Sequence, residues 1–120
     1  MPFSERDWQY LRPVKGVALE RFCARVLDEA VAITQDGDRS AHERYPRLFR
    51  LARERDAALA SAFDDMRRST GLQRLSAMVG LGVLTGEELA GFAPDVRDAA
   101  RDLGQLLAPR GSASRRDRPR

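Results

Sequence analysis

The sequence predicts an all-α fold: a small bundle of four main helices plus a short N-terminal or connecting helix, with a disordered basic C-terminal tail. Three observations carry this. Ser40-Ala41-His42-Glu43, Thr70-Gly71-Leu72-Gln73 and Thr85-Gly86-Glu87-Glu88 each read as a capping box. In such a box the hydroxyl accepts from the third helical N–H, and the Glu or Gln side chain accepts from the cap's own N–H. Between these starts, apolar residues recur at three- and four-residue spacing, the mark of one helix face. Glycine and proline clusters separate the periodic stretches. A chain of 120 residues with 42% hydrophobic and 32% charged residues is one domain, expected over 1–108, large enough to bury a core without disulfide staples.

The first segment, 1–12, reads as an N-terminal aromatic arm or short helix carrying Trp8, Tyr10 and Leu11 behind a weaker cap, Ser4-Glu5-Arg6-Asp7, with its rings either docking a partner or covering one end of the core. Arg12-Pro13 restarts the backbone, because proline suits a first helical position and disfavours helix in the residue before it. A helix over about 13–34 follows, with Leu19, Phe22, Cys23, Val26, Leu27, Ala30 and Ile33 on its inward stripe and Arg21, Arg25 and Asp28 opposite. Gly37 stops it. A long helix over about 41–69 carries Tyr45, Leu48, Phe49, Ala52, Leu59, Ala62, Phe63 and Met66, widened by Leu51 and Ala58. So broad an apolar arc places it at the centre of the bundle. Pro46 is expected to kink or delay it by a turn, and Asp64/Arg68 are spaced as an i,i+4 pair. A third helix over 71–81, a short one after Thr85 and a last one starting at Pro94, with Val96, Ala99, Ala100, Leu103, Leu106 and Leu107 inward, complete the set. The segment 109–120 has no large apolar residue and is expected to be disordered.

The net charge is +3, but residues 109–120 hold five Arg and one Asp, a net +4, which leaves the rest of the chain at −1. Among 21 basic residues only Lys15 is lysine, asparagine is absent and alanine is abundant, as a GC-rich bacterial genome would impose. The single thiol, Cys23, suits a reducing cytoplasm. The start, Met1-Pro2-Phe3-Ser4-Glu5-Arg6, has no basic stretch followed by an apolar one, so no signal peptide is expected. The most apolar stretch, 77–84, is too short to span a membrane.

No catalytic, metal or cofactor constellation emerges. No Glu has a His three residues on, as di-iron bundles need, and His42 and Cys23 lie on different helices. Of the doublets Asp28-Glu29, Asp64-Asp65 and Glu87-Glu88, only one member each could face a shared cation, since helical neighbours diverge by about 100°. Gly80-Leu81-Gly82 lacks the third glycine and the strand of a dinucleotide loop. Read as a helix-turn-helix, 75–89 would offer Gly86, Glu87 and Glu88 to the major groove, where carboxylates oppose a polyanion. Arg44, Arg47, Arg50, Arg53 and Arg55 step around the long helix, interleaved with Glu43, Glu54 and Asp56.

Gly82-Val83-Leu84-Thr85-Gly86-Glu87-Glu88-Leu89, preceded by Leu75 and Met78, resembles the short C-terminal helical hairpin module of bacterial proteins, SHOCT. The resemblance implies an oligomerisation or interaction element. It covers 75–89, has Leu89 where that module carries an aromatic residue, and lacks the basic helix that follows there.

One carboxylate stands out. Asp56 falls inside the apolar arc of the long helix, on the side of Phe49 and Phe63, and is expected to be buried and met by an arginine or a helix N-terminus, or to line a pocket as an acid. The function expected is a cytoplasmic, non-enzymatic protein–protein interaction module, with homodimerisation as one arrangement. Its candidate surface is Trp8, Tyr10, Arg47, Arg50 and Arg53. The alternative is weak nucleic-acid association through the tail and the arginines of the long helix.

Overall fold

The computed structural model describes residues 3–108. These form α1 (Glu5–Thr34), α2 (Ala41–Phe63), a 3-10 turn (Arg68–Thr70), α3 (Gly71–Leu81), α4 (Gly86–Leu89) and α5 (Pro94–Leu107), with no strand among them. The fold is all-α. The 109–120 tail lies outside the described residues.

The first segment is helical, and no break at Pro13 separates it from the helix that follows. Ser4 accepts from the Asp7 N–H at 3.0 Å, and helix runs from Glu5 straight through Pro13. Proline removes one N–H and frees the Gln9 carbonyl, but both residues are exposed, so water takes the bond. Leu11 and Val14, buried on either side of Pro13, hold the helix on course. Trp8 and Tyr10 thus pack on the core as part of α1; the Tyr10 ring stands edge-on to Phe92 at 4.8 Å between centroids. Pro46 is likewise absorbed. It lies exposed in α2, whose Ser40/Glu43 capping box starts the helix without delay.

α2 ends six residues before the expected end, at Phe63. Asp64 is extended and Asp65 takes a left-handed φ of 54°, so the chain turns. The Thr70 hydroxyl closes that turn. It donates to the Asp65 carbonyl at 2.7 Å and accepts from the Arg67 N–H at 3.0 Å. Engaged there, it makes no side-chain cap on α3, and the capping box expected at Thr70–Gln73 does not form. The Asp64/Arg68 pair is also lost with the helix; Arg68 meets Glu5 of α1 at 2.9 Å instead.

The centre of the bundle is α3, not α2. α3 packs on α1, α2 and α5, with Leu75, Ser76 and Met78 fully buried. Its closest partner is α5, where two glycines permit near backbone contact. A Cβ on Gly80 would sit 2.8 Å from the Gly104 carbonyl oxygen, and one on Gly104 would sit 2.8 Å from Val79 Cγ1. α3 ends at Gly82, whose φ of 72° favours glycine. Arg25 of α1 donates to the Leu81 and Gly82 carbonyls at 2.7 and 2.9 Å, so a cation meets the negative end of α3.

α4 is a single turn held from outside. Its Thr85/Glu88 capping box forms as the sequence predicts, and Arg21 of α1 grips both Glu88 oxygens at 2.7 and 2.8 Å. The Arg21 guanidinium, with the Thr85 backbone N–H, holds the Glu88 carboxyl well below its ordinary value, at about 2. Among the described residues the buried carboxylate is Asp7, 1% exposed. It accepts from the Ser4 hydroxyl at 3.0 Å, from Arg6 at 3.4 Å and from the Ala93 N–H at 3.1 Å. Asp7 thereby joins the start of α1 to the start of α5.

Candidate interaction face

The molecule is long for its size, 51 × 29 × 20 Å. Its length comes from the α1–α2 hairpin, which runs past the core. Between Phe22 and Ala62 only Leu51 is buried. The Arg55–Glu29 ion pair, with bonds of 3.0 and 2.9 Å, sets the register of the two helices there.

The hairpin keeps large apolar side chains in water: Leu27 is 65% exposed, Val31 49%, Tyr45 72% and Phe49 56%. On α2, Tyr45, Phe49, Ala52, Asp56 and Leu59 follow each other at alternating spacings of four and three; on α1, Val17, Glu20, Ala24, Leu27 and Val31 alternate three and four. That alternation is the seam of a helix that packs on another helix. A groove of about 270 Å³ joins the two stripes, with Cys23, Val26 and Leu27 on one wall and Ala52, Asp56 and Leu59 on the other.

Asp56 therefore corrects the sequence reading. It does stand in the apolar arc of α2, and it lines this groove, but it is exposed and makes no ion pair among the described residues. The arc on which it sits is uncovered in the single chain. The buried acid is Asp7, whose signal was its place as third helical residue after the Ser4 cap.

The other predicted surface residues do not converge. Trp8 and Tyr10 are half-buried on the core at the opposite end from the hairpin turn, and the Tyr10 hydroxyl donates to the Glu88 carbonyl at 2.9 Å. Arg47, Arg50 and Arg53 are exposed on α2. Arg50 and Arg53 border a second groove, of about 550 Å³, with Pro46, Phe49 and Glu54, and the Arg53 guanidinium lies 5.6 Å from the Phe49 ring centroid. A carboxylate stands among these cations, so they form a mixed border to the apolar stripe. The sequence reading missed the outer stripe of α1: it placed Leu27 inward, and the alternation of Val17, Ala24, Leu27 and Val31 was the available signal.

Among the described residues, no three His, Cys, Asp or Glu side chains gather where they could hold a metal ion. No described helix is long and apolar enough to cross a membrane. No family model, curated protein or solved structure matches this chain. The likeness of 75–89 to the short helical hairpin module thus stays a local one, carried by the Gly82 turn and the Thr85 cap.

Proposed function

We propose that this chain is a protein–protein interaction module whose working surface is the outer face of the α1–α2 hairpin. The observation that carries the reading is the four-three stripe of α2, exposed at Tyr45, Phe49, Ala52 and Asp56, with Tyr45 and Phe49 more than half exposed. Large aromatic side chains held in water by a rigid helix lose little conformational freedom on docking, and they dominate many interfaces. The stripe spacing fits a helical partner that lays its own apolar face alongside. The lone thiol fits a cytoplasmic setting, and the residue bias fits a bacterial one.

Photo-cross-linking in living cells tests this. A photoreactive residue in place of Phe49 should give a discrete protein adduct, and the same residue in place of exposed Glu87 on α4 should not. An adduct at Glu87 but none at Phe49, or none at either, overturns the reading.

A further inference from the structure

Resting on that reading, we infer that the partner is a second copy of this chain, with the two α2 helices antiparallel about a two-fold axis level with residue 54. In antiparallel seams the two kinds of core position alternate across the interface, so positions three or four apart on one helix meet in reverse order on the other. Phe49 and Asp56 are one kind; Tyr45, Ala52 and Leu59 are the other. About an axis at 54, Phe49 lies against the open edge of Leu59 of the partner subunit, a side chain half-buried on its own core, and Asp56 against Ala52 of the partner subunit. Each layer occurs twice by symmetry. A slip of one heptad either way sets Asp56 against a tyrosine or a leucine and buries the carboxylate without a neighbour of opposite charge.

The chosen register also answers the charge. Arg53, one residue on from Ala52, makes no ion pair among the described residues and rests on the Phe49 ring. In the pair it comes within reach of Asp56 of the partner subunit, reciprocally. Asp56 and Arg53 are thus a self-complementary couple on a face that is otherwise apolar. The Arg55–Glu29 register puts Leu27 and Val31 of α1 at the level of the axis, which extends the apolar contact by a helix width. A hairpin face about 35 Å long and about 18 Å wide covers about 600 Å² per copy, about 1,200 Å² for the pair. That reaches the lower edge of stable interfaces.

Sedimentation equilibrium of the full chain, from the micromolar to the millimolar range, reads the pairing. The wild type should dimerise. Arg53→Asp and Asp56→Arg should each weaken it about tenfold or more, because each sets like charges together, and the double variant should recover most of that loss. Both residues are exposed, so circular dichroism should show unchanged folding. A wild type that stays monomeric, or a double variant no better than the singles, overturns self-pairing. The Phe49 cross-link separates the two failures: an adduct of twice the chain mass supports self-pairing. An adduct with a different protein alone defeats self-pairing and keeps the interaction reading; no adduct defeats both.

Discussion

Replacing Asp7 by alanine should cost about 3 kcal/mol, roughly a quarter to a half of the stability of an ordinary small domain. The figure follows from what the carboxylate holds. Its Oδ1 takes the Ala93 N–H at the start of α5, and its Oδ2 takes the Ser4 hydroxyl at the start of α1. Hydrogen bonds to a charged group contribute about 1.5–3 kcal/mol, and the half-buried Ala93 N–H left without its acceptor adds part of the about 1–3 kcal/mol that a buried orphan costs. Relief of the carboxylate's own desolvation offsets part of this. Urea unfolding followed by far-ultraviolet circular dichroism reads the loss as a lower midpoint at unchanged slope. Asp7→Asn, which keeps one oxygen for the Ala93 N–H, should fall between. The paired control is Asp56→Ala, exposed on α2, which should stay within about 0.5 kcal/mol of the wild type at concentrations where the chain is monomeric. An Asp7→Ala protein as stable as the Asp56→Ala protein would refute the assignment of the buried carboxylate.

Two further perturbations test the packing around α4 and α5. Glu88 has a lowered folded value of about 2 against an ordinary 4.5, so its contribution to stability is full above the ordinary value and is lost as pH falls through that window. The group is partly open to solvent, which leaves on the order of 1–2 kcal/mol. Glu88→Gln should flatten the acid limb of a stability-against-pH curve, and an unchanged limb would show that Arg21 does not hold it. Gly104→Ala should cost about 1–3 kcal/mol by thermal unfolding, because its Cβ would meet Val79 Cγ1 at 2.8 Å and the Ser76 carbonyl oxygen at 3.0 Å, and backbone cannot step aside cheaply. A neutral result would mean that α3 and α5 slide apart freely.

Much of the fold is legible where local chemistry decides it. The Ser40 and Thr85 boxes and the Pro94 start act within one turn of backbone, and the helices begin there. The failures share a cause: the deciding partner is far away in sequence. Pro13 and Pro46 stay within helices because their freed carbonyls face water, which no local rule reports. Thr70 loses its capping role to the Asp65 turn. A wide apolar arc on α2 reads as a central helix, yet part of it is uncovered, because periodicity tells which residues share a face and not what lies across from it. The same limit governs the candidate site. The arc that holds Asp56 was visible in the sequence, whereas its exposure required knowing that α3, and not α2, fills the middle.

The scarcity of sequestered side chains between Phe22 and Ala62 has a kinetic consequence. The tip of the hairpin can fray without disturbing the layers around Leu75 and Met78, so amide protons near residues 30–45 should exchange with deuterium through local opening, long before those of α3. Contact with another helix along the outer stripe would slow that exchange first, which makes the tip a natural reporter of occupancy.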